Sequence, residues 1–306
     1  MEGREYSTDF KACKDQSELD GMRIAHIMDG AAICNFMGRL KRRIKEGEVF
    51  TEMSLAQLLA DCRKEHSEYL GPSFATIAGF GPHGAVVHYS ATEETDAKIT
   101  GSGLLVLDSG GQYVSGTTDV TRTLLFGRAG KKEKDAYTRV LKGHLALASL
   151  VFPEGTDGHH TDAIAHQYLW EKGMDFFHGT GHGVGCRLNV HEGPQRISAS
   201  PAASNVPLKA GMVISDEPGV YIKDRFGIRI ENLVAVVPAM KTEFGRFFTF
   251  EVLTCVPYER ALIDRSLLSQ EDVNLINSYH AWVFTVLQDF VDEDGYRYLK
   301  EAVKPL

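Results

Sequence analysis

The chain has 306 residues, 43% of them hydrophobic and 24% charged, enough for a core of its own and unlike collagenous, coiled-coil or wholly disordered chains. Its 33 basic and 41 acidic side chains leave a net charge of −8, which argues against neutralising phosphates, so nucleic acid is not an expected partner. No apolar run approaches the roughly 18 residues of a membrane span, and five cysteines without a Cys-x-x-Cys pair read as reduced thiols of a cytoplasmic protein.

Residues 1–14 are polar and predict no domain of their own, so a single domain is expected over 15–306. Ser17 followed by Asp20 has capping-box spacing and predicts the start of a long helix. Leu19, Met22, Ile33, Phe36, Met37, Leu40 and Ile44 fall near helical spacing along it. Lys41, Arg42 and Arg43 suit the negative end of its dipole. A second helix is predicted over 55–69. From Ala85 the period changes, and strands are predicted over 85–88, 104–107, 120–126, 212–215, 228–237 and 248–256. Helical patterns over 131–150, 161–172 and 269–290 separate or follow them. That alternation predicts an α+β fold with a mixed sheet.

Asp108 ends the apolar run from Gly103, and Asp119 opens the segment Asp119-Val-Thr-Arg-Thr, so a hairpin can bring the two carboxylates together. Alone, both also read as ordinary turn and strand-end residues. The run His178-Gly-Thr-Gly-His182-Gly-Val-Gly, followed by His191, holds too many glycines for a helix, so its histidines are not a helical zinc pair. Phosphate cradling, the rival use of such glycines, lacks the Lys-Ser/Thr that would follow. Glu217 and Glu231 sit beside strand-like apolar stretches, where a carboxylate needs compensation. Two divalent cations would balance the four acids Asp108, Asp119, Glu217 and Glu231, and one histidine nitrogen completes a ligand set suited to manganese, cobalt, iron or zinc.

In this order and in these contexts, Asp108, Asp119, His182, Glu217 and Glu231 resemble the five ligands of the pita-bread metallopeptidases. His178, Glu217-Pro-Gly-Val-Tyr221 and Gly227-Ile-Arg-Ile-Glu231 are similar to Xaa-Pro aminopeptidases and prolidases, and the stretch from Phe248 through Ala261-Leu-Ile-Asp to the eukaryotic aminopeptidase type. The resemblance runs from near Lys11 to the end of the chain. It implies a pita-bread fold, a curved mixed β-sheet covered by helices, and two divalent metal ions, manganese first with zinc or cobalt as alternatives.

Asp108 is then a bidentate ligand of one metal, Asp119 and Glu231 bridge, and His182 and Glu217 bind the other. His88, His191 and Glu217 become the catalytic residues, while His88, His178, His191, Tyr221 and Arg229 contact or orient the substrate. The implied reaction is hydrolysis of the bond between an N-terminal residue and a following proline, by a hydroxide bridging the metals. Metal binding can lower the pKa of water from about 15.7 to about 7, which at about 1.4 kcal/mol per unit is roughly 12 kcal/mol toward hydroxide. The expected partners are peptides with proline second, with no membrane contact, and a homodimer is allowed. Two rival readings are a prolidase acting on Xaa-Pro dipeptides and a metal-free binding module of the same fold. Relatives of this type usually carry one or two creatinase-like domains ahead of the peptidase domain.

Overall fold

A computed structural model describes residues 6–306; the part of the polar opening before Tyr6 lies outside them. Helix α1 (Tyr6–Ala12) leads into α2 (Gln16–Lys45). The cap of α2 is Asp15, which accepts the Glu18 N–H at 2.9 Å while Glu18 Oε2 accepts the Asp15 N–H at 3.0 Å. The expected box at Ser17 and Asp20 is thus displaced by two residues. Both tetrapeptides fit the pattern, and Lys14 decides between them: its N–H donates to Gly211 O and its ammonium to Val184 O at 2.6 Å, which fixes the chain just ahead of Asp15. Ala12 is buried in the same apolar cluster as Leu147 and Phe152.

Helix α3 (Glu52–Lys64) starts and ends earlier than predicted because Thr51 and Ser54 cap it reciprocally, and residues beyond it form β1 (Tyr69–Pro72). A buried ion pair joins the two helices, with Arg63 Nε 2.7 Å from Asp29 Oδ1, and Arg63 Nη2 also reaches Ser109 Oγ at 3.1 Å.

Strand β2 (Ile77–Phe80) is followed by a 3-10 turn (Gly81–Ala85), then β3 (Gly103–Ser109), β4 (Gly111–Tyr113) and β5 (Val120–Phe126). After α4 (Lys131–Ala148) come β6 (Val151–Pro153), α5 (Gly158–Trp170), β7 (Gly181–His182), β8 (Arg196–Ile197) and β9 (Val213–Asp216). The chain continues through β10 (Gly219–Ile222), β11 (Phe226–Arg229), β12 (Asn232–Thr242) and β13 (Gly245–Val252) to α6 (Gln270–Leu287) and α7 (Glu293–Ala302). Sheets run β2-β3-β5 and β6-β13-β12-β9, with β1-β4, β7-β8 and β10-β11 as pairs.

The α+β class stands. The pairings of the described strands are all antiparallel, including β3 with β5 and β12 with β9. Three further predicted elements change. The strand at 85–88 is absent, since the chain there turns, with Val86 N–H bonded to His83 O and Tyr89 N–H to Val86 O. The strand at 228–237 is broken at Ile230 and Glu231, where the chain leaves the β10-β11 hairpin for the larger sheet. The last helix stops at Leu287, and Asp292 caps a further one.

One apolar cluster packs α2 and α3 on the β2-β3-β5 sheet through Phe36, Leu40, Leu55, Leu59, Leu105 and Leu107. A second joins α4 and α6 to the β10-β11 hairpin through Tyr137, Leu141, Val220, Ile228 and Ile276. Each such side chain contributes about 1.5–3 kcal/mol on burial. Asp108 follows Leu107, Asp119 precedes Val120 and Glu231 follows Ile230, so these carboxylates lie on or directly beside chain that the two clusters clamp. None of the described helices is long and apolar enough to cross a membrane. All five cysteines are free thiols.

Candidate metal centre

Strands β3 and β5 pair with Asp108 opposite Thr121 and Ser109 opposite Val120, which puts Asp119 one residue beyond the ladder and beside Asp108. The expected juxtaposition is therefore made, although residues 110–119 form a long excursion containing β4 rather than a tight turn. His182 lies on β7, opposite Arg196 of β8. Its approach to β9 needs glycine beside it: a Cβ on Gly181 would stand 1.9 Å from Ser215 O. Glu217 follows β9, with its N–H bonded to Thr180 O at 2.9 Å. Glu231 sits in the break between β11 and β12, and its N–H bonds Thr121 O at 3.0 Å.

The side chains converge. Ligand atoms of Asp119, His182 and Glu231 all lie within 4.8 Å of one another, and His182 Nε2 is 3.4 Å from Asp119 Oδ2 and 3.5 Å from Glu217 Oε1. His182 Nδ1 stands 3.1 Å from Gly183 O, so the Nδ1–H donates there and the Nε2 lone pair faces the carboxylates, as a metal-binding imidazole requires. Thr121 Oγ1 donates to Glu231 Oε2 at 2.7 Å, and Ser215 Oγ donates to Glu217 Oε1 at 3.0 Å. Arg229 donates to Asp108 Oδ2 at 2.6 Å and to the Tyr221 hydroxyl at 2.8 Å. The Tyr221 hydroxyl lies 3.0 Å from His178 Nε2, and His178 Nδ1 lies 2.9 Å from Gly179 O. That chain of donors makes Nε2 of His178 an acceptor. Burial, with Arg229 and His88 nearby, pushes His178 down to about 4, so it is neutral.

Burial raises the Asp119 and Glu231 carboxyls well above the usual range, and the neighbouring carboxylates raise them further; Glu217 is raised chiefly by burial. Anions this crowded are costly without cations. Asp108 Oδ1 is buried with no hydrogen-bond partner among the described residues, an acceptor that a cation would satisfy. Carboxylate oxygens with one imidazole nitrogen form a set that suits borderline divalent ions. The residues fit such ions.

These side chains open into a cavity of about 390 Å³, which His88, His178, His191, Arg196, Phe74 and Ile77 also line. His191 packs edge-on against His182, with ring centroids 4.2 Å apart. Tyr221 lies behind the cavity wall and reaches it through His178 and Arg229. A larger hollow of about 730 Å³ along the β12-β13 hairpin, lined by Cys13, Pro207, Met240 and Phe248, holds none of these carboxylates. Sequence reasoning passed over Arg196, Thr121, Ser215 and Thr180. The first is a cation on a two-residue strand and the others are ordinary strand or loop hydroxyls, so no pattern marked them.

A buried cluster of acids with one imidazole, at the foot of a cavity on an α+β frame, has the chemistry of a centre for divalent metal ions. The family model for metallopeptidase family M24 matches residues 20–238, and that for the C-terminal region of the same peptidase family matches residues 246–306. The chain belongs to metallopeptidase family M24. A probable Xaa-Pro aminopeptidase P of Arthroderma gypseum is 43% identical over 313 residues, covering 100% of this chain and 49% of that protein. The crystal structure of an X-prolyl aminopeptidase from Caenorhabditis elegans, described as a cytosolic enzyme with a di-nuclear active site, superposes with a TM-score of 0.92 at 40% identity, over 98% of this chain and 49% of that one. A Xaa-Pro dipeptidase from Bacillus anthracis gives a TM-score of 0.68 at 28% identity, over 84% of this chain and 66% of its own. The chain spans about half the length of the aminopeptidase relatives it matches. The resemblance read from the motifs agrees with these relatives.

Proposed function

We propose that this chain carries the catalytic centre of a dinuclear Xaa-Pro aminopeptidase. The supporting observation is the superposition on the nematode X-prolyl aminopeptidase at 0.92 over 98% of the chain, against 0.68 over 84% for the dipeptidase. Asp108, Asp119, His182, Glu217 and Glu231 would hold two divalent ions, manganese by preference, in a cytoplasmic protein. Bound there, such ions would supply an activated water and polarise the scissile carbonyl.

The chain's own groups do the rest. Arg229 holds Asp108, Thr121 holds Glu231 and Ser215 holds Glu217, each by a hydrogen bond to one oxygen that orients the carboxylate and leaves lone pairs on both oxygens for the ions. Glu217 takes the proton that the attacking water gives up. A bond preceding proline is a tertiary amide with no N–H to recognise. Neutral His178 and edge-on His191 wall the cavity with rings that make no demand for such a donor. The proline nitrogen needs a proton as it leaves, and His88, exposed on the cavity wall, is the group placed to give it one.

The aminopeptidase and prolidase readings separate on substrate length. The manganese-loaded protein should cleave a tripeptide Xaa-Pro-Xaa after its first residue, with kcat/KM well above that for the dipeptide Xaa-Pro. A preference for the dipeptide would replace this reading with the prolidase one.

A further inference from the structure

Glu52 is an acid with no exposed surface, at the first turn of α3 and outside the metal centre. Its Oε1 accepts the Phe80 N–H at 2.7 Å, and its Oε2 accepts the Tyr89 hydroxyl at 2.8 Å and the Ala97 N–H at 3.1 Å. His83 Nδ1 lies 2.9 and 3.1 Å from the two oxygens, so its Nδ1–H donates to the carboxylate as well. The four donors come from the beginning, middle and end of one segment, residues 80–97. That segment carries His88, next to the buried Tyr89, whose ring stacks on His83 at 4.5 Å between centroids.

A second anchor faces the site. Gly84 and Gly227 approach backbone to backbone so closely that a Cβ on Gly227 would stand 1.6 Å from Gly84 O. Gly227 is on β11, two residues before the arginine that holds Asp108. The turn carrying His88 is thus registered on one side to the strand of Arg229 and on the other to Glu52.

We propose that Glu52 is a positioning residue for His88: its carboxylate gathers the 80–97 segment so that the imidazole stands over the metal centre. This rests on the reading of His88 as the group that protonates the leaving proline nitrogen. A carboxylate accepts all four donors, whereas a carboxamide of the same shape presents two donors of its own and must turn some of them away.

The test is a double-mutant cycle on the manganese-loaded protein with an Xaa-Pro-Xaa peptide. Glu52→Gln should lower kcat by about 10²-fold, the size of effect expected from misplacing a reacting group by about 1 Å, with KM and metal content unchanged. In a His88→Ala background the same change should cost less than about threefold, because the group it positions is gone. Amide hydrogen exchange should rise at Phe80 and Ala97 in Glu52→Gln and stay at wild-type levels in the strands carrying Asp108 and Glu231. If His88→Ala alone leaves kcat intact, the reading of His88 is wrong and the proposal falls with it. If His88→Ala lowers kcat but Glu52→Gln costs the same in both backgrounds, or strips metal, the proposal alone is overturned. Should Glu52→Gln fail to fold, Tyr89→Phe removes a single donor and goes through the same cycle, with a smaller loss and the same non-additivity expected.

Discussion

Replacing Glu231 or Asp119 with alanine should take hydrolysis to background, whereas Arg229→Lys should leave a measurable rate, reduced by the 10- to 100-fold usual for a group that only supports a ligand. The two acids are buried, close to each other and to His182, and assigned to both ions, so losing either disturbs the whole centre. Arg229 touches one ligand, Asp108. A second readout separates metal binding from chemistry. In metal-free protein Glu231→Gln should raise thermal stability, because it removes a buried anion that burial and three neighbouring acids disfavour. Added manganese at about 1,000 times its Kd should then stabilise the wild type by about 4 kcal/mol for each ion bound and the variant far less. Equal residual rates in the Asp119, Glu231 and Arg229 variants, or a Glu231→Gln protein that manganese stabilises fully, would remove the bridging assignment.

His88→Ala should keep its metal content and lose about 10²- to 10⁴-fold in kcat, the range for a general acid. The ring lines the cavity but is absent from the carboxylate cluster, which is why metal and turnover should part company here. Burst or single-turnover kinetics would show whether the loss is in the chemical step. A variant that loses metal instead would make His88 a ligand and the ligand set wrong.

Much of this was legible in the sequence because acids are conspicuous in apolar strands. Glu217 and Glu231 each stand beside a run of buried β-residues, and the glycines around His182 announce a backbone approach that the 1.9 Å clearance at Gly181 explains. Helices with strong local signals were also readable: the helix expected from 269 begins there, and the structure adds that Ser269 caps α6 with Asp272 completing a capping box. What was lost depended on partners distant in the chain. Ala85-Val-Val-His88 has strand composition, but Glu52 and Gly227 hold it as a turn, and no local pattern carries that information. The break at Glu231 is set by Thr121, 110 positions away. Arg196 carried no mark as one of 33 basic side chains scattered through the sequence. Histidines outside the motifs differ for the same reason: His26 bonds the Met22 carbonyl of its own helix, while His83 belongs to the cluster behind His88.

The most direct measurement is metal stoichiometry read together with activity. After exhaustive chelation and dialysis the protein should hydrolyse no Xaa-Pro-Xaa peptide; titration with manganese, followed by calorimetry and elemental analysis, should saturate at two ions per chain, with hydrolysis returning along the same curve. Full activity in protein shown by elemental analysis to be free of metal would contradict the account, as would saturation at two ions with no hydrolysis of any proline-second peptide.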